Sequence, residues 1–163
     1  MNKTYFRETQ KFTQWWLWLI LLALTAISLY GLLKAVRVND IGINKENLVD
    51  NIIPSAVCLG VLVLFGILRM ETEIDSKGIY MEFFPFVKKH ISWTDIKSLN
   101  IVKYGFVGYG IRLGSKYGTV YNTKGNKGLW VQLKNGKTFV IGTQKQNELK
   151  RLIKTERILK LID

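Results

Sequence analysis

The sequence predicts a membrane α-helical hairpin of two transmembrane helices followed by an α+β, mostly β domain. That domain is expected to hold about seven antiparallel strands in a curled sheet or barrel capped by a C-terminal helix. Three observations carry the prediction. Two runs within the first 70 residues contain no charged side chain. From Arg69 onward the apolar pattern switches to a period of two, and the chain then returns to helical spacing at its end. The composition explains itself once these parts are separated: 48% of the 163 residues are apolar, yet the net charge is +12. Such a chain is neither disordered nor collagen-like. One cysteine excludes a disulfide framework and a multi-cysteine zinc site, and one histidine excludes His-rich metal centres and HExxH motifs.

The first predicted span is Trp15–Leu33, 19 residues without a charge. As a helix it covers ~29 Å, the thickness of a bilayer's hydrocarbon core. Trp15, Trp16 and Trp18 cluster at one end and Tyr30 lies near the other, as amphipathic rings do at headgroup level. A cleaved signal peptide would carry a shorter apolar region and a small-x-small cleavage site. A buried core helix would need a larger soluble remainder to wrap it. The second span, Ile52–Leu68, has 17 uncharged residues and contains Pro54, which is placed in the first helical turn where its missing N–H costs little. Ser55, Ala56, Gly60 and Gly66 are small enough for close helix approach, and Cys58 reads as a packing residue. Residues 34–51 form the polar connector, and residues 1–14 read as a tail.

Orientation follows from basic residues near the span ends. Lys3, Arg7, Lys11, Arg69, Lys77 and Lys88 lie on the side shared by both termini, against Lys34, Arg37 and Lys45 in the connector. The positive-inside rule puts both termini in the cytoplasm and the connector outside.

The strands predicted beyond Arg69 are Thr72–Asp75, Ile79–Phe86, Ile91–Ile96 leading into Lys97–Lys103, Tyr109–Leu113, Gly118–Asn122, Gly128–Lys134 and Lys137–Gly142. The Ser76–Gly78 turn has a glycine available for positive φ, and Asn135-Gly136 predicts a type I′ hairpin turn. Thr143–Gln146 fits a capping box, and Leu149, Leu152, Ile153 and Glu156 follow at helical spacing, with Leu159 and Ile162 continuing the stripe.

Two segments, Ile91–Ile96 (ISWTDI) and Gly128–Thr143 (GLWVQLKNGKTFVIGT), resemble the bacterial pleckstrin-homology-like (PH-like) domains that follow one or two membrane helices in small membrane proteins. The likeness covers roughly Glu71–Ile162. It implies a cytoplasmic PH-like domain over residues 71–163 at a bacterial plasma membrane, with Trp93 packed into the barrel and Asp95 capping a turn. The first hairpin turn offers only Lys77, so the inositol-phosphate binding of eukaryotic PH domains does not carry over; function has to be argued from the site.

The most informative feature is an absence. No Asp or Glu occurs between Asp95 and Glu148, a stretch of 52 residues that holds nine Lys or Arg. Tyr104, Phe106, Tyr109, Tyr117 and Tyr121 interleave with them. Within this stretch Lys103, Arg112, Lys116, Lys124 and Lys127 are the candidate binding residues for an anionic partner. Anionic lipid headgroups, an acidic membrane protein or nucleic acid each fit such a potential. The simplest alternative leaves these lysines as solvated strand faces and the aromatics as core. A tether within a few residues of the bilayer favours the membrane over nucleic acid.

Motifs for chemistry are missing. Gly108–Gly114 (GYGIRLG) is one residue too long for GxGxxG and precedes no helix, and Gly125–Gly128 has the GXXG pattern but precedes a strand. His90 reads as a solvated turn residue, and Glu82 and Asp95 as strand surface and turn cap. No catalytic residue, metal ligand or cofactor is expected, and the chain reads as a binding or scaffolding module.

Overall fold

The segment FRETQK alternates inward and outward side chains, yet its inward positions include Glu8 and Gln10 as well as Phe6. In the computed structural model, which describes residues 4–40, 46–105 and 108–155, it forms strand β1 (Phe6–Lys11). Part of the stretch read as a tail is therefore a structural strand. β1 pairs antiparallel with β2 (Arg69–Ile74), Lys11 opposite Arg69 and Phe6 opposite Ile74. β3 (Gly78–Phe84) and β4 (Val87–Ser92) complete a four-stranded sheet in the order β1-β2-β3-β4. The chain divides into two units, Thr13–Ile67 and the segments on either side of it. The apolar unit is thus an insertion in the β1–β2 connection.

The β2–β3 turn does not use its glycine as predicted. The Asp75 carboxylate accepts hydrogen bonds from the N–H groups of Lys77 and Gly78 at 2.7 and 3.0 Å, which shapes the turn. Gly78 is needed for closeness instead: a Cβ there would lie 2.0 Å from the Ile91 carbonyl oxygen of β4. The β3–β4 turn contains a cis Phe84–Pro85 bond.

A 3-10 turn, Trp93–Asp95, ends the first sheet. Trp93 is buried and its indole N–H donates to the Asp75 carbonyl at 3.1 Å, so the chain changes direction around an anchored ring. The strands β5 (Ile96–Lys103), β6 (Gly110–Ser115), β7 (Gly118–Asn122), β8 (Lys127–Leu133) and β9 (Thr138–Gly142) form a second sheet in the order β5-β8-β9-β7-β6. The expectation of one curled antiparallel sheet or barrel is corrected on two counts. The strands split into two sheets at Trp93–Asp95, and β7 pairs with β9 in parallel. Hairpin signals report only sequence neighbours, whereas β9 enters between β8 and β7.

The β8–β9 hairpin is present, but its turn is not type I′. Leu133 and Lys137 close the loop through a backbone bond of 2.9 Å, Gly136 N–H donates to Leu133 O at 3.0 Å, and Gly136 has φ +84°. That is the three-residue loop with glycine in the left-handed position. The buried apolar residues Met70, Ile79, Met81, Phe83, Ile96, Leu129, Val131 and Ile141 build the core. Each contributes ~1.5–3 kcal/mol by leaving water.

Helix α3 (Gln146–Ile153) packs against β5 and β8 with Leu149 buried. Its predicted capping box is replaced. The N-cap residue is Lys145, with no side-chain cap bond; the Thr143 hydroxyl donates to Glu8 and its oxygen accepts from Lys145 N–H at 3.0 Å, one step ahead of the helix. Glu156, Leu159 and Ile162 lie outside the described residues.

The inserted unit consists of α1 (Trp15–Asp40) and α2 (Glu46–Ile67), packed on each other. Trp15–Arg37 and Val49–Ile67 are long and apolar enough to cross a membrane. Only 11% and 6% of their most apolar stretches are buried inside the protein, unlike the core helix of a soluble domain. Both helices extend into the predicted connector, so Pro54 lies inside α2 and not in its first turn. The Ser55 hydroxyl donates to Asn51 O at 2.7 Å and approaches Ser28 O at 3.0 Å, which joins the helices. Gly66 lies against Trp18, while Gly60 faces open space.

Candidate anion-binding face

Lys103, Arg112, Lys116, Lys124 and Lys127 are all exposed. The ion pairs among the described residues, Arg69–Glu71, Lys88–Glu82 and Lys145–Glu148, involve none of them. Lys103 ends β5, Lys127 begins β8, and the register sets them directly opposite one another. Opposed like charges on neighbouring strands are destabilising, by ~0.2–1 kcal/mol on the scale of such pairs. This end of the sheet therefore holds positive charge that no acidic side chain between Asp95 and Glu148 offsets.

Lys124 belongs to the Thr123–Asn126 loop that leads into β8. The loop is held from both sides. Asn122 Nδ2 donates to the carbonyls of Gly108 at 3.1 Å and Gly125 at 3.3 Å, and Tyr104 N–H donates to Asn126 O at 3.0 Å. Lys116 sits on the β6–β7 turn with its Nζ 4.9 Å from the centroid of the Tyr117 ring, and the Tyr117 hydroxyl makes a long 3.5 Å bond to Lys103 O. Arg112, on β6 opposite Val120, lays its guanidinium against Gly108, where a Cβ would come within 2.7 Å of Nη2. The fold thus gathers Lys103, Lys124 and Lys127 at one sheet end, links Lys116 to it through Tyr117, and leaves Arg112 on the edge strand over the neighbouring loop.

What ties this end to the rest of the domain is β1, which the sequence reading missed. The Thr123 hydroxyl donates to Gln10 Oε1 at 2.8 Å, and Gln10 Nε2 donates to Gly142 O at 2.8 Å. Two residues earlier, Glu8 accepts from the Thr143 hydroxyl at 2.6 Å and from Gln144 N–H at 2.8 Å. Glu8 and Gln10 are buried, and these bonds compensate the desolvation of their polar ends. Their only sequence signal was the alternation of FRETQK.

The aromatic residues divide differently from the sequence expectation. Tyr104 and Tyr121 are buried, so neither offers a face for stacking. Burial pushes the Tyr104 hydroxyl up to about 12. Tyr121 meets Phe139 edge-to-face, and Lys89, which sequence reasoning did not single out, lies over both rings at 5.0 and 4.6 Å. Phe106 lies outside the described residues.

Of the acid–base candidates, Glu82 is engaged by its neighbours, while His90 and Asp95 line one open cavity with Lys134. The Glu82 carboxylate accepts from the Tyr80 hydroxyl at 2.6 Å and pairs with Lys88 at 3.1 Å. The Tyr80 bond, with Lys88 assisting, holds the Glu82 carboxyl below its usual range, and the same bond is the main cause raising Tyr80 to about 12. Asp95 lies in the 3-10 turn, where its carbonyl accepts from Lys134 N–H. His90 is on β4 opposite Tyr80, not in a turn. Among the described residues no three His, Cys, Asp or Glu side chains gather to hold a metal.

No protein-family model matches the chain, and the curated proteins include no match to it.

Proposed function

We propose that this chain is a two-pass membrane protein whose β domain is a binding module for anionic lipid headgroups, not a catalyst. Lys103, Lys124 and Lys127 supply the central contacts, and Lys116 and Arg112 flank them. The observation that carries the reading is the Thr123–Gln10 hydrogen bond. It holds the basic loop beside Gln10 near the end of β1, one residue before Lys11 and five before Trp15, where the first apolar helix begins. Near an anionic surface each Lys or Arg is worth ~1 kcal/mol, falling over a Debye length of ~8–10 Å.

Two further points support the membrane part. β1 precedes α1 and pairs with β2 at the edge of the first sheet, its inward side chains buried, so removing α1 as a leader would also remove a strand. The excess of Lys and Arg on the side of the two termini favours a cytoplasmic domain. Nucleic acid is the weaker reading, because Tyr104 and Tyr121 are taken into the core.

Lysine-acylation footprinting of the full chain in vesicles tests the proposal. Lys103, Lys124 and Lys127 are expected to react more slowly in phosphatidylglycerol-containing vesicles than in pure phosphatidylcholine, and salt is expected to reverse the difference. Equal reactivity in both would reduce these lysines to solvated strand faces.

A further inference from the structure

We propose that the β3–β4 turn, Phe84–Val87, is a third membrane contact, with Phe86 inserted at the headgroup–acyl boundary of the bilayer. The proposal rests on reading α1 and α2 as membrane-spanning. Its basis is the register of the first sheet. Lys11 is opposite Arg69, Arg69 is opposite Phe84, and Phe83 is opposite Val87. One end of the sheet therefore carries, in order, the exit of β1, the entry of β2 and the β3–β4 turn. Ile67 and Arg69 are two residues apart, at most ~7 Å of chain, and Lys11 and Trp15 are four apart, at most ~14 Å. If the helices cross a bilayer, this sheet end lies at its surface by chain length alone.

The side chains at that end suit the boundary. Phe86 is 58% exposed, and among the described residues it and Leu113 are the exposed large apolar side chains outside the helical unit. The turn is closed by a Phe86 N–H to Phe83 O bond of 2.8 Å, so the ring is presented from a fixed backbone. The same sheet end carries three basic residues: Lys11; Lys88, which pairs with Glu82; and Arg69, which pairs with Glu71 and lies 4.6 Å from the centroid of the Phe84 ring. An exposed aromatic beside basic side chains binds a membrane interface chiefly through burial of the ring, with charge assisting. Leu113, on edge strand β6 of the other sheet, has no such chain-length tie.

Site-directed spin labelling of the full chain in phosphatidylcholine–phosphatidylglycerol vesicles tests this. Cys58→Ser supplies the background, and Phe86→Cys, Leu113→Cys and Leu24→Cys supply the label sites, all at exposed positions where a label displaces no core. The label at position 86 is expected to favour oxygen over a water-soluble nickel complex severalfold more than the label at position 113. An aqueous reading at 86 beside an acyl-chain reading at 24 overturns the turn contact and leaves the spanning helices standing. An aqueous reading at 24 overturns both. Dipolar broadening at 86 assigns the turn to a second copy of the chain and also overturns the proposal.

Discussion

The Thr143 hydroxyl donates to the Glu8 carboxylate at 2.6 Å, joining residues 135 positions apart. Gln144 N–H donates to the other oxygen of the same carboxylate. A buried acceptor from the N-terminal strand thereby organises the approach to α3, and it does so across the entire helical insertion. Its removal strands two buried or half-buried donors. Glu8→Ala is expected to cost ~2–4 kcal/mol and Glu8→Gln less, since an amide oxygen still accepts one bond. Chemical denaturation followed by near-ultraviolet circular dichroism measures both; an unchanged midpoint for Glu8→Ala would show that the Glu8 bonds contribute nothing to the domain's stability.

Lys127→Glu separates stability from binding. Facing Lys103 across β5 and β8, the new carboxylate replaces a repulsive pair by an attractive one. The domain is expected to gain ~0.2–1 kcal/mol. Protection of Lys103 and Lys124 by anionic vesicles is expected to fall at the same time. A variant that is stabilised and still fully protected would remove Lys127 from the binding face.

Two glycines give opposite outcomes. Gly78→Ala drives a Cβ to 2.0 Å from Ile91 O and must part β3 from β4, at ~2–3 kcal/mol or more. Gly60→Ala meets nothing within 4 Å and is expected to be neutral. Thermal unfolding of the two variants in the same detergent checks the contrast.

The pH dependence has an acid and an alkaline limb. Glu82 has a lowered value in the folded state, so its contribution is present above the unfolded carboxyl range of ~4.3 and is lost as pH falls through the folded value. Tyr80 and Tyr104 are raised to about 12, so their contribution is present below ~10 and is lost as pH rises through the folded value. Tyr80→Phe removes the hydroxyl bonded to Glu82 and is expected to flatten both limbs. Urea midpoints measured across pH for this variant and the parent test the assignment.

Tyr104→Phe is expected to stabilise the domain slightly. The Tyr104 hydroxyl is buried with no hydrogen-bond partner among the described residues, so its deletion removes a desolvated group at no cost in pairing. A lowered melting temperature would show that the hydroxyl is bonded after all.

The sequence alone determined the two apolar helices, most strand positions after Arg69 (except β4, which it placed at Ile91–Ile96), the hairpin at Asn135-Gly136 and the presence of a last helix, though not its cap. These depend on local quantities: charge-free length, alternation, turn residues and helical spacing. It also exposed the acid-free stretch from which Lys103, Lys124 and Lys127 were chosen, since charge composition needs no fold. Tertiary structure alone decided the rest. FRETQK looked like a tail because its inward face carries Glu8 and Gln10, whose burial is favourable only with Thr143, Gln144, Thr123 and Gly142 as partners. The split into two sheets depends on where Trp93 finds the Asp75 carbonyl, and the parallel β7–β9 pair on a strand entering between two earlier ones. Each is a contact between residues distant in sequence, whose free energy appears only when both partners are in place.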